Sequence, residues 1–227
     1  MKLYFSLISA FLLLANSLQA QSDYQPLGLR VGFDAMKLAT NIIDPQRSAF
    51  ELNADLGINK FLIAADAGWA KVDGVGSNYT YLNEGNYLRV GADYNIIHRD
   101  PFGNALFIGL RYGAAKFDEE LIHAFQAPTW DIQQDTVSIS GANANWMELV
   151  AGLRVRVRNN LFVGYTIRYK LGASVDSRST KLQGFEIPGY GNAESGGFSF
   201  GYSIMYRIPF FKPEPPSFDK LMDNNPE

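Results

Sequence analysis

The 227-residue sequence has no cysteine and only two histidines, and both shortages restrict what the protein can do. Without cysteine, no disulfide and no lipoprotein anchor is expected. Charged residues make up 19% of the chain, below the ~25% that is typical of soluble globular proteins. The formal net charge is −3, which argues against nucleic acid as a partner.

Long apolar runs are also scarce, and the clearest one lies at the N-terminus. Lys2 precedes an almost unbroken apolar run from Phe5 to Ala15, and a short polar stretch then ends at Ala20. This layout predicts a secretory signal peptide over residues 1–20, cut before Gln21. A membrane anchor would need ~20 apolar residues, and a later transmembrane helix at least ~18, which no other segment provides.

What the chain does have is aromatic residues, at 14%, and 21 glycines, set in segments with a period of two. Strand side chains point to opposite faces with this period. In the last segment one face carries Phe198, Phe200, Tyr202, Ile204, Tyr206, Ile208 and Phe210. The same alternation occurs in residues 29–35, 50–58, 61–69, 88–96, 106–114, 147–157 and 161–171. Segments of about this length suit tilted membrane strands, which need ~9–11 residues.

The opposite faces of these segments carry glycine and charge. Their acidic residues are Asp34, Glu51, Asp55, Asp66, Asp93 and Glu148. Their basic residues are Arg30, Arg89, Arg111, Arg154, Arg156, Arg168, Lys170 and Arg207. An eight-stranded barrel has an interior only just wide enough for side chains to fill, so the bulky apolar faces must lie outside. Each Arg or Lys facing lipid near the midplane would cost roughly 2–4 kcal/mol. A soluble lipocalin-type barrel would invert this pattern.

The sequence therefore predicts an all-β protein, an eight-stranded antiparallel transmembrane β-barrel over residues 27–210. Short links at 59–60, 98–103 and 158–160 are expected to be periplasmic turns. Longer links at 40–47, 73–80, 118–145 and 175–196 are expected to be extracellular loops. Residues 21–26 form a periplasmic stub, and residues 211–227 form a Pro-rich periplasmic tail that is either a disordered end or a docking peptide. Aromatic girdles are expected at both rims, with Trp146 in the outer one.

Five segments of the chain resemble a family of Bacteroidota outer-membrane barrels known as domain of unknown function 6048. They are residues 28–34 (GLRVGFD), 87–95 (YLRVGADYN), 107–113 (FIGLRYG), 146–154 (WMELVAGLR) and 187–191 (IPGYG). Their order covers most of the mature chain. The resemblance implies a barrel fold in the bacterial outer membrane, and it transfers no catalytic residue.

Two interpretations of the lumen charges stay open. They are either an ion pathway, leaning towards anions because bases outnumber acids, or a plug in which opposite charges pair.

A lipid-modifying enzyme would need a histidine, a nucleophile and a carboxylate in contact. His98 lies in a turn and His123 in the third loop, and neither spacing indicates a site. We expect no enzyme, no cofactor and no metal site.

Outward-facing lysines and apolar loop residues are the remaining candidates for contacts. Lys37, Lys71 and Lys116 are predicted at the extracellular strand ends, where they either snorkel or contact lipopolysaccharide phosphates. Trp130, Phe185, Ile187 and Tyr190 are candidate contacts for a protein partner, unless the two long loops pack into a lid. The predicted function is structural or interaction-based, as an accessory component of an outer-membrane assembly. The alternatives are a narrow anion-leaning channel and, third, a lipid-modifying enzyme.

Overall fold

The computed structural model describes residues 28–126, 132–176, 186–192 and 197–210. The predicted signal peptide (1–20), stub (21–26) and tail (211–227) lie outside the described residues, as do Trp130 and Phe185. Within them, the first strands and the helix are β1 (Leu29–Asp34), α1 (Ala35–Ile43), β2 (Arg47–Ile58), β3 (Phe61–Val75) and β4 (Tyr79–Asn95). The later strands are β5 (Ala105–Gln126), β6 (Ile132–Arg158), β7 (Leu161–Asp176), β8 (Glu186–Ile187), β9 (Gly191–Asn192) and β10 (Gly197–Ile208).

Eight of these strands form a closed barrel in the order β1-β10-β7-β6-β5-β4-β3-β2, and β8 pairs with β9 in a separate two-stranded sheet. Every pairing is antiparallel, and Leu29 pairing with Ile208 closes the ring between the first and last strands. The predicted eight-stranded antiparallel barrel is confirmed. Among the described residues, no helix is long and apolar enough to cross a membrane.

The two ends of the barrel differ in their connections. At one end, the turn end, residues 59–60, 96–104 and 159–160 join neighbouring strands. Asn59 and Asn159 have positive φ angles of 55° and 41°, which asparagine tolerates better than most residues. The other end, the loop end, holds α1, the β3–β4 link and the β8–β9 hairpin.

Side chains alternate between the two surfaces of the barrel as predicted. On β10, Gly201, Ser203, Met205 and Arg207 are buried inside the barrel, and the residues between them are exposed. The outer surface is apolar and includes Leu52, Ile63, Leu88, Val90, Ile108, Leu110, Leu149, Val163, Phe200, Tyr202 and Ile204.

A helix replaces the end of the first predicted strand. β1 stops at Asp34, whose side chain accepts hydrogen bonds from the backbone N–H groups of Met36 (2.9 Å) and Lys37 (3.3 Å). Aspartate is a preferred N-cap, because its carboxylate satisfies N–H groups that have no partner inside the helix. Ala35 was expected in a strand and residues 40–47 in a loop. Both expectations were wrong, because Ala35–Ile43 is a helix.

Strands β3 to β6 continue past the ends of their neighbours at the loop end. β2 begins at Arg47 opposite Val72, and β7 ends at Asp176 opposite Asn143. The strand residues beyond this level are 73–75, 79–82, 119–126 and 132–142, and we call them the wall. Most of the predicted loops at 73–80 and 118–145 is therefore sheet.

Candidate functional site

The interior of the barrel holds a connected set of buried ion pairs, and Glu51 lies at its centre. Glu51 is fully buried, and its carboxylate lies 2.5 Å from Arg89 Nη2 and 3.4 Å from Arg168 Nη2. The Tyr87 hydroxyl donates to Oε2 of Glu51 at 2.5 Å, and Lys37 Nζ lies 3.4 Å from the same oxygen. A buried carboxylate needs this number of partners, because desolvating an unpaired charge costs several kcal/mol.

Asp66 and Arg111 form a second centre next to the first. Arg111 donates to Asp66 through Nη1 and to Asp93 through Nη2, the latter at 2.8 Å. Arg89 Nε lies 3.6 Å from Asp66, which links this centre to Glu51. All of these side chains are at most 2% exposed, so water cannot replace a lost partner.

Asp55 forms a third centre nearer the turn end. Arg154 Nη1 and Arg30 Nε both bind its carboxylate, the Arg30 contact at 2.7 Å. Arg154 lies 4.8 Å above the ring centroid of Phe107, and Arg30 lies 5.4 Å from that of Phe162. Both rings are fully buried. Guanidinium groups and aromatic rings therefore fill this part of the interior together.

Ten of the fourteen predicted lumen residues take part in these ion pairs. The six acids are all buried, with Asp34 acting as a helix cap and Glu148 lying 3.6 Å from Arg89. The exceptions among the bases are Lys170, Arg156 and Arg207, none of which has a carboxylate within 4 Å among the described residues. Sequence reasoning missed one member, because Lys37 also reaches Glu51.

Lys37 thus contradicts the expectation that it faces lipid at a strand end. It belongs to α1, and the helix turns its side chain into the barrel, with Nζ 5.4 Å from the ring centroid of Tyr87. Lys71 and Lys116 lie on the outer faces of β3 and β5 as expected, and Lys71 Nζ contacts Asp73 at 2.9 Å. Their contact with lipopolysaccharide phosphates stays a prediction.

The β8–β9 hairpin (Glu186–Asn192) lies over the mouth of the barrel at the loop end. Ile187 and Tyr190 are only 1% and 3% exposed, so the expectation that they contact a partner was wrong. Tyr190 packs edge-on against Trp146 with ring centroids 5.5 Å apart, in a cluster with Tyr87 and Phe117. Their burial agrees with the alternative prediction, in which the loops pack into a lid.

Trp146 also departs from its predicted place in the outer aromatic girdle. It is 2% exposed, and its indole Nε1 donates to Glu148 Oε1 at 2.7 Å. Residues 146 and 148 have the same parity, so both point into the barrel. The alternation along the strand predicted the position of Trp146 correctly, whereas the general enrichment of aromatics at membrane rims did not.

The two histidines occupy different ends of the molecule. His98 lies in the 96–104 turn, and His123 lies on the wall opposite Asp135, with Nε2 3.4 Å from Asn78 Nδ2. Glu119, near His123 in sequence, instead accepts a 2.6 Å hydrogen bond from Tyr81. In the part of the chain that the structure describes, no group of three His, Asp or Glu side chains could hold a metal ion.

Comparison with known proteins agrees with the resemblance seen in the sequence. No protein with a curated description matches the chain. The crystal structure of CarO from Acinetobacter baumannii is similar to it at 11% identity, over 81% of this chain and 98% of that one, with a TM-score of 0.37. The family model described as Domain of unknown function (DUF6048) matches residues 2–213, and the chain therefore belongs to that family.

Proposed function

We propose that this protein is an outer-membrane β-barrel of a Gram-negative bacterium with a structural or interaction role, as an accessory component of an outer-membrane assembly. The observation that carries the proposal is the contrast between its two surfaces. Exposed side chains on the outside are apolar, while buried side chains on the inside include twelve charged residues of the predicted lumen set. A soluble protein would gain no stability from placing apolar side chains outside and charged side chains inside.

An uncharged belt on the outer surface supports the membrane location. Apart from Arg158, the last residue of β6, no outward residue of the described barrel strands is charged between the turn end and the level of Lys71 and Lys116. Individual side chains are well exposed, such as Phe200 at 51% and Leu52 at 53%. Exposed apolar patches of more than several hundred Å² are rare on soluble monomers, and a continuous belt suits lipid.

The ends of the barrel support the proposed orientation. Gly28 and Phe210 both lie at the turn end, which also holds the short connections. With the predicted signal peptide, export by the general secretory route would leave the turn end and both termini in the periplasm. The wall would then project outward from the cell surface.

The wall offers the surface on which a partner is proposed to bind. A groove of about 490 Å³ runs along it, lined in part by Val72, Tyr79, Tyr81 and Leu121. Tyr79 is 47% exposed within this groove, and exposed tyrosines are frequent among the residues that dominate protein interfaces. We propose this groove as the partner-binding surface instead of the surface predicted around Ile187 and Tyr190.

A photo-crosslinking amino acid at position 79, in cells whose outer membranes are then isolated, tests the proposal. We expect a specific protein adduct in the outer-membrane fraction, and loss of that adduct when Leu121 is changed to Ala. Position 80, on the opposite face of β4, is the matched control and should give no such adduct. The proposal is refuted if the protein is absent from the outer membrane, or if positions 79 and 80 give the same products.

The second candidate function is the narrow anion-leaning channel. One observation favours it, because Arg156 and Arg207 face the interior at the turn end without a carboxylate partner among the described residues. Two such cations would attract anions to that mouth. The packed ion pairs deeper in the barrel argue against conduction.

A further inference from the structure

The ring of paired strands has a gap in its backbone pairing at the loop end, between β2 and β10. β1 pairs with β10 only as far as Asp34 opposite Ser203, and with β2 only as far as Phe33 opposite Leu52. Above this level, no strand in the described part of the chain lies between residues 197–202 of β10 and residues 47–51 of β2. Unpaired strand edges are costly inside a membrane, because no water is present to satisfy them.

Helix α1 fills this gap and packs against both β2 and β10. The Asn41 side chain imitates a strand there, since Nδ2 donates to the Ala49 carbonyl (2.9 Å) and Oδ1 accepts from the Ala49 N–H (2.7 Å). The helix is amphipathic, and Ile42 and Ile43 are 84% and 80% exposed on its outer side. That exposed apolar face suits contact with acyl chains.

A cavity of about 310 Å³ lies behind the helix, and two inward-facing lysines and the outward-facing Lys71 line it. Met36 and Lys37 of α1, Phe200 of β10 and Lys170 of β7 are among its lining residues. Phe200 is an outward-facing residue, 51% exposed. The same cavity therefore reaches from the apolar outer surface to charged groups inside the barrel.

In the part of the chain that the structure describes, Lys170 has no ion pair, although Glu148 lies opposite it on β6. Its Nζ donates to the Tyr190 carbonyl, and no carboxylate lies within 4 Å of it among the described residues. Within the described ranges, Lys37 Nζ has one carboxylate within 4 Å, that of Glu51, which Arg89 and Arg168 also contact. The other charged pair at the cavity, Arg47 and Glu186, is self-contained, with Nη2 and Oε2 3.1 Å apart. Lys37 and Lys170 are therefore the inward-facing ammonium groups that this cavity offers to an anion.

We propose that the cavity behind α1 binds a phosphorylated lipid, with the headgroup phosphate between Lys37 and Lys170. One acyl chain would follow the outer side of α1 past Phe200. The combination of an apolar outer face, a cavity that reaches the barrel interior and partly buried ammonium groups fits a lipid phosphate better than a soluble anion, which would make no contact with the apolar part. This inference rests on the membrane location proposed above.

Native mass spectrometry of the detergent-purified full-length protein tests the inference. The probe is dioleoyl phosphatidic acid, compared with dioleoylglycerol, which lacks the phosphate, and with glycerol 3-phosphate, which lacks the chains. We expect phosphatidic acid to bind at least about tenfold more tightly than either, since both a charge-assisted contact and apolar burial contribute. Lys37→Gln with Lys170→Gln should remove that preference.

Lys116→Gln is the matched control, because Lys116 is an outward lysine at the same end of the barrel that does not line the cavity. It should bind phosphatidic acid like the natural protein. Lys37→Gln alone provides a milder variant, since this side chain is 26% exposed and Glu51 keeps its arginines. It should weaken binding by about tenfold, and a heat-dependent gel shift verifies that each variant is folded.

Three results overturn the inference. They are equal binding of phosphatidic acid and dioleoylglycerol, equal binding by the double variant and the control, or displacement of the lipid by an equal concentration of glycerol 3-phosphate. The last would indicate a free phosphate site. If the protein is found in outer membranes and any of these results is obtained, this inference alone fails, whereas absence from outer membranes removes the proposed function too.

Discussion

At the scale of single residues, glycines make room for the large side chains inside the barrel. A Cβ atom on Gly68 would lie 2.3 Å from the Tyr87 ring, and one on Gly113 would lie 2.2 Å from the Trp146 ring. Real Cβ contacts are never this short, so these positions exclude any side chain unless the ring moves. The alternation of glycine with charge in the sequence thus reflects close packing in a narrow interior.

Arg111 provides the sharpest test of that packing. Changing Arg111 to Ala leaves Asp93 without any ion-pair partner among the described residues, in a fully buried position. Removing one partner of a buried pair costs ~3–5 kcal/mol. We therefore expect a loss of that order in the free energy of unfolding, measured by tryptophan fluorescence in urea after reconstitution in detergent or lipid.

Arg156→Ala is the matched control for Arg111→Ala. Arg156 also faces the interior, but it lies over the Phe102 ring at 4.7 Å and has no carboxylate within 4 Å among the described residues. It should destabilise the barrel much less. Equal losses from the two variants would contradict the role given to the buried pairs.

Most of the interior could be predicted from the sequence, because parity along a strand fixes which side chains share a face. Glu148 and Arg168 were placed correctly in this way. Lys37 was not, because the parity argument holds only while the chain remains a strand, and the strand ends at Asp34. Which acid pairs with which base also depends on strand register, and one sequence does not give the register.

At the scale of elements, the sequence located the strands that bear apolar faces and missed those that do not. Residues 132–142 were predicted to be loop because their alternation is short, from Val137 to Ser140, and polar or small residues such as Gln134 and Gly141 flank it. These residues nevertheless pair with β5 along the whole wall. Helix α1 was missed for another reason, since its nine residues are too few for a clear helical period.

Asp118 at the base of the wall should make that element sensitive to pH. Its carboxylate accepts hydrogen bonds from the Gly141 N–H (2.6 Å) and the Ser140 hydroxyl (2.9 Å), where the β5–β6 register shifts. These two bonds lower the pKa of Asp118 below its ordinary value of 3.8. Because the folded pKa is the lower one, the stabilisation is complete above the unfolded value and is lost as the pH falls through the folded value.

Hydrogen exchange of the wall measures this effect. We expect protection of residues 132–142, corrected for intrinsic rates, to be constant from about pH 8 to about pH 5 and to decrease below about pH 4. Asp118→Asn should lower protection already at neutral pH, whereas Glu120→Gln on the same strand serves as the control. Protection that is unaffected by Asp118→Asn would show that the bulge is held by the backbone alone.

At the scale of the whole molecule, the interior is filled in successive layers from one end to the other. Phe107 and Phe162 are fully buried towards the turn end, the ion pairs around Glu51 and Asp66 occupy the middle, and the hairpin with Tyr190 covers the loop end. The charged middle layer links side chains from six strands, β2 to β7, so it also ties the ring together.

This layering predicts that the purified protein gives no steady conductance in planar bilayers. An ion would have to separate buried pairs such as Arg89 and Glu51, at a cost of several kcal/mol for each. Changing both Ile187 and Tyr190 to Ala should open the lid and still give no current, because the ion-paired layer below stays intact. Reproducible openings in the natural protein, with a preference for chloride, would instead support the channel. Openings only in the lid variant would show that the β8–β9 hairpin, and not the ion-paired layer, blocks conduction.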